Sequence, residues 1–169
     1  VIRLNNYLSV DTISKLQLAY AHEIRNMMIY EQISSWLDVS GFKNLSKYYA
    51  DWSMEEKSHS IMVKDFLSKL NVPIMNTPFD YLAFSIDNTS ITNFAKKTLE
   101  TENETTKIYD DLLQTALDFE DSSLLVDFAT KMNSEQLEET GKANDIHDMI
   151  MNIGENKAML QLFDNTFEG

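Results

Sequence analysis

Apolar residues recur every three or four positions through four long stretches of this chain, and almost no glycine or proline interrupts them. Only four Gly and two Pro occur in 169 residues, so few places exist where a helix must stop. The periodicity predicts helices at about 10–38, 43–70, 90–118 and 121–151, with a short fifth near 155–166. Helices of that length are about 40 Å long and bury one face each by lying side by side, which makes the fold class all-α, a four-helix bundle. The length suits a single domain over 1–169. The segment from Asn71 to Asn88, with Pro73 and Pro78, separates the second helix from the third by about 18 residues, too long for a hairpin link. It is expected to cross over along the bundle, so that helices two and three run parallel, and Ser90 is expected to cap the third.

The buried seams carry acids where apolar residues belong. Helix one reads Leu16, Tyr20, Glu23, Met27, Tyr30, Ser34; helix two reads Tyr49, Trp52, Glu56, His59, Val63, Phe66, Leu70. Helix three reads Ala95, Leu99, Glu102, Thr106, Tyr109, Leu113, Ala116; helix four reads Leu125, Phe128, Met132, Gln136, Glu139, Ala143, Ile146, Ile150. A Glu and a His three residues apart project from one side of a helix and can grip one metal ion. A buried carboxylate costs several kcal/mol unless neutralised, and a bound cation is the usual remedy. Six inward groups, Glu23, Glu56, His59, Glu102, Gln136 and Glu139, suit two metals bridged by Glu56. One site takes Glu23 and His59; the other takes Glu102 with Gln136 or Glu139. Oxygen and imidazole donors without sulfur favour iron or manganese, with zinc as a competitor. His22 and His147 are expected at the surface, since His22 points about 100° away from the Glu23 seam.

Composition narrows the function further. A formal charge of -13 opposes nucleic acid as a partner and suits cations. The absence of Cys removes disulfides and thiolate chemistry. No apolar run approaches a membrane span or a signal-peptide core, and no glycine-rich phosphate loop or nucleophile elbow occurs. The expectation is a cytoplasmic protein with no membrane and no nucleic-acid partner.

Three motifs, in order, resemble the non-haem ferritins. They are Tyr30-Glu-Gln-Ile-Ser-Ser-Trp36 with Glu23 seven residues earlier, Met54-Glu-Glu-Lys-Ser-His59, and Ser134-Glu-Gln-Leu-Glu-Glu139. The likeness covers nearly the whole chain and implies a ferritin-like fold with a di-iron centre. It implies that Glu23, Glu56 and His59 hold the first iron, that Glu56, Glu102 and Gln136 hold the second, and that Tyr30 matches the family's redox-active tyrosine. Glu55, Glu135, Glu138 and Glu139 fall where bacterial-type ferritins bind a third iron, an acidic set that human-type heavy chains lack. Ala158-Met-Leu-Gln-Leu-Phe163 resembles the short fifth helix that lines the fourfold channels of a shell of about 24 subunits.

The implied activity is ferroxidase: Fe(II) is oxidised by dioxygen or hydrogen peroxide and stored as ferric mineral. Two departures bear on it. Bacterioferritin has a His where Glu139 stands and a haem-binding Met where this chain has Lys57, so no haem is expected. Val126 and Ala129 stand where heavy-chain ferritins place the acids of the threefold channel. Two rival readings remain: a di-iron oxidase or peroxidase without storage, and a structural subunit that nucleates mineral without oxidising iron.

Overall fold

The computed structural model describes residues 8–75, 90–120 and 122–167. It contains α1 (Val10–Ser40), α2 (Lys43–Lys69), α3 (Ile91–Asp118), α4 (Ser123–Ile153) and α5 (Lys157–Thr166), and no strand occurs among the described residues. Residues 76–89, which include most of the crossover expected over 71–88, lie outside the described residues.

Local chemistry sets the helix ends. Ser9, Ser90, Ser122 and Asn156 each cap a helix by accepting a backbone N–H with the side-chain oxygen, and Ser90 does so from Asn93 as expected. α1 runs two residues past its expected end and stops at Gly41, whose φ of 91 is left-handed and whose N–H bonds to the Asp38 and Leu37 carbonyls. The start of α2 has no side-chain cap of its own at Phe42. Asp164 of α5 serves instead: its Oδ1 accepts the Leu45 N–H at 2.8 Å, and its carbonyl accepts from Asn44 Nδ2 at 2.7 Å. The fifth helix is thereby tied to the bundle by a buried carboxylate. Asp164→Ala is expected to lower stability by about 1–2 kcal/mol, read as a lower urea midpoint.

Cross-helix bonds fix the directions. Ser34 meets Ser46 while Met27 meets Ser53, so α1 and α2 are antiparallel. Tyr30 meets Glu102, His22 meets Thr105 and Lys15 faces Asp111, so α1 and α3 are antiparallel too. α2 and α3 therefore run parallel, as the long connection between them requires. Pairs from Glu55 with Lys142 to Phe66 with Phe128 set α4 antiparallel to α2. No described helix is long and apolar enough to cross a membrane.

The core is divided. One apolar cluster gathers Ile33, Leu37, Leu45, Tyr49, Trp52, Phe94 and Ile146, with Leu160 of α5 joining it. The other gathers Leu16, Val63, Leu67, Leu112, Leu125 and Met132. Between the two lies a polar layer fed by all four long helices.

The seams sit at slightly different phases from those the sequence suggests. On α3, Leu99, Thr106 and Leu113 are half-buried, whereas Thr98, Thr101, Thr105 and Leu112 are buried. Threonine buries at low cost here because its hydroxyl bonds back along the helix, Thr98 to the Phe94 carbonyl at 2.9 Å and Thr105 to that of Thr101 at 3.0 Å.

Candidate metal centre

Each helix delivers its polar residues to the layer at mid-length: Glu23 from α1, Glu56 and His59 from α2, Glu102 from α3, Gln136 and Glu139 from α4, all buried. Their ligand atoms form two groups, Glu23 with Glu56 and His59, and Glu56 with Glu102 and Glu139, in each of which the atoms lie within 4.8 Å of one another. Glu56 belongs to both. That is the arrangement of a bridging carboxylate between two cations.

The surroundings hold these acids without neutralising them. Tyr30 donates its hydroxyl to Glu102, and Tyr109 donates to Glu23. Gln136 Nε2 donates to Glu102 Oε2 at 2.6 Å, and His59 Nδ1 stands 3.6 Å from Glu139 Oε1. Five carboxylate oxygens remain buried with no donor: Oε2 of Glu23 and both oxygens of Glu56 and of Glu139. Unpaired buried acceptors are rare in folded proteins because each forfeits its hydration.

Burial, reinforced by repulsion from neighbouring carboxylates, pushes the pKa values of Glu56, Glu102 and Glu139 up. Glu56 rises well above the ordinary range, by burial first and then by the charges of Glu23 and Glu102. Glu139 rises to about 9, again chiefly by burial, with Glu102 and Glu23 adding to it. Glu102 reaches about 7, because burial outweighs the opposing hydrogen bonds from Tyr30 and Gln136. Metal-free, the site holds protons where two divalent ions would sit. Four ionised carboxylates would balance the charge of two such ions, and the oxygen-rich set with one imidazole fits iron or manganese.

The family model for the ferritin-like domain matches residues 13–155. This chain belongs to the ferritin-like family. No curated protein sequence matches it, but solved structures do. A humanised archaeal ferritin shares 24% identity and a TM-score of 0.84, with 94% of each chain covered. An open-pore ferritin from the archaeon Archaeoglobus fulgidus shares 23% identity and a TM-score of 0.81, covering 94% of this chain and 96% of its own. An iron-soaked variant of PmFTN shares 20% identity and a TM-score of 0.85, covering 95% of this chain and 100% of its own. At these identities the likeness establishes the fold, and the site rests on the residues themselves.

The structure adds detail to the other residues that the sequence singled out in this ferritin-like chain. Of the two residues offered beside Glu102, Glu139 supplies a carboxylate oxygen to the second group, while Gln136 donates its amide N–H to Glu102. Glu55, Glu135 and Glu138 enter no three-ligand group among the described residues. Glu138 is 71% exposed, and Lys142 reaches both it and Glu55. His22, expected at the surface, is buried, with Nε2 3.1 Å from Thr105 Oγ1. The correction has a simple cause: α1 packs against both α2 and α3, so its buried face is wider than one seam and takes in His22 and Asn26 on the α3 side. Burial first, then the Arg25 charge, lowers the His22 pKa to about 4, so the ring is neutral near pH 7.

Two functional neighbours escaped the sequence reading, in which Tyr109 was merely a seam aromatic and Lys142 was passed over. Tyr109 lies seven residues after Glu102, on the same helical face, and that spacing was the signal available.

Proposed function

We propose that this chain is a ferroxidase that also stores iron. Two Fe(II) ions are its substrates. The first is held by Glu23, Glu56 and His59, and the second by Glu56, Glu102 and Glu139, with Gln136 positioning Glu102. The observation that carries this reading is the set of five donorless carboxylate oxygens, which a neutral interior would not tolerate.

Each Fe(II) gives up one electron, and the pair reduces one dioxygen to the level of hydrogen peroxide. Hydrogen peroxide, accepting two electrons itself, is the alternative oxidant. The carboxylates favour Fe(III) over Fe(II), because negative ligands stabilise the higher charge more. They also exchange their protons for metal on loading. Tyr30, bonded to Glu102, and Tyr109, bonded to Glu23, keep one carboxylate of each site in place. The ferric product then hydrolyses and collects as mineral inside a closed assembly of one ferritin-like domain per subunit, in the cytoplasm and without haem.

Adding Fe(II) in air and following oxygen uptake tests the activity. His59→Ala is expected to slow the initial rate by about tenfold or more, through loss of a ligand. Equal rates in parent and variant would reject the catalytic role. Size exclusion tests storage: a particle of about 24 subunits of 19.5 kDa that retains its mineral excludes the oxidase without storage. A subunit that only nucleates mineral, from iron oxidised by dioxygen in solution, would show as oxygen and mineral uptake equal in parent and His59→Ala.

A further inference from the structure

Beside the paired-metal layer, where α2 and α4 meet, lie Glu55 and Glu138, two of the four acids expected to take a third iron. Lys142 is already among them. Its Nζ stands 3.4 Å from Glu55 Oε2 on α2 and 3.6 Å from Glu138 Oε1, one turn earlier on its own helix. Lys142 is 34% exposed, so its stem is covered by the bundle while its head remains at the crossing.

Resting on the two-metal reading above, we propose that the Lys142 ammonium is the tethered cation of this place, so that a third metal ion binds there only by driving the lysine out. An ammonium has three donors and no acceptor, so it satisfies oxygens from two helices without offering a lone pair to a metal. A divalent ion seeking the same oxygens would meet a like charge a few ångströms away. Displacing the lysine would also break the link between α2 and α4. Glu55 and Glu138 therefore serve the lysine, and the chain handles two metals where its acidic pattern suggests three.

The test uses Zn(II), which is redox-inert and accepts oxygen and imidazole ligands. The assembled protein is titrated by calorimetry, and Zn(II)-soaked crystals are read by anomalous scattering. The parent and Lys142→Arg are expected to hold two ions per subunit, both at the buried layer. Lys142→Met is expected to gain a third ion against Glu55 and Glu138, and adding Glu138→Gln to Lys142→Met removes it again. A third ion on Glu55 and Glu138 in the parent, or none in Lys142→Met, overturns the proposal. A lysine acting only as a helix tie would lower the melting temperature of Lys142→Met and leave the ion count at two. Failure of the two-metal reading is separately visible, as no scattering peak at Glu23, Glu56 and His59 in any variant.

Discussion

Glu56→Leu is expected to cut ferrous oxidation by about a hundredfold or more, equivalent to ~2.7 kcal/mol of barrier, while making the metal-free protein more stable. Both effects come from one side chain. Glu56 is the single residue common to the two three-ligand groups, so its removal strips an oxygen from each metal and the bridge between them. In the metal-free fold it is fully buried, neither oxygen has a donor, and the charges of Glu23 and Glu102 press on it. Such a carboxyl is a burden even when protonated, since an unmatched buried polar group costs about 1–3 kcal/mol. Leucine is of similar size, and its position on α2 lies one turn after Trp52 of the first cluster and two turns before Val63 of the second, on the same helical face. An oxygen electrode reads the first effect. Urea unfolding in the presence of a chelator reads the second, with the variant expected about 1–3 kcal/mol above the parent. A lower urea midpoint for Glu56→Leu would mean that the carboxylate ties the helices together, contrary to its role as a ligand awaiting a cation.

This trade between stability and function also explains what was legible in the sequence. Glu56 and His59 stood out because they interrupt an apolar period, and a chain selected for stability alone would place leucines there. The five helices were legible for the same reason, since a three-four period sustained without Gly or Pro admits few other structures. Residues that make no such demand were not legible. Thr98 and Thr105 bury themselves by bonding to their own helix, so their polarity says nothing about which way they face. His22 and Asn26 bury because Thr105 answers both from another helix, a partnership that no local pattern encodes. Lys142 was hidden by the reverse problem: its spacing from Glu138 is ordinary for a surface helix, and only the approach of Glu55 from α2 gives it meaning. Sequence reports conflicts within one helix well and agreements between two helices poorly.

Between pH 6.5 and 9 the metal-free protein is expected to lose stability as pH rises, and the Zn(II)-loaded protein to gain on it steadily. The sign follows from proton counts. Glu139 and Glu102 have folded pKa values of about 9 and about 7, and Glu56 lies well above its ordinary value of 4.5, so in this window the native state binds more protons than the unfolded chain. Stability then falls by up to about 1.4 kcal/mol per pH unit for each carboxyl that stays protonated only in the fold. Glu102 ceases to contribute as pH passes about 7, and Glu139 as it passes about 9. His22 acts below this window: its pKa, lowered from 6.5 to about 4, makes stability fall as pH drops from 6.5 toward 4, opposing the carboxyls there. The raised tyrosine hydroxyls act above it. Metal reverses the trend because it binds the ionised carboxylates and must first displace their protons, so its affinity rises with pH. At pH 7, loading is expected to release at least about one proton per subunit, that of Glu139, with Glu102 and the raised Glu56 adding to it. Urea midpoints at pH 6.5, 8 and 9, with and without Zn(II), and proton release in a weakly buffered titration read both arms. A metal-free midpoint that climbs across this range would mean the buried carboxylates are already ionised and paired within the protein, leaving no charge for two cations to balance.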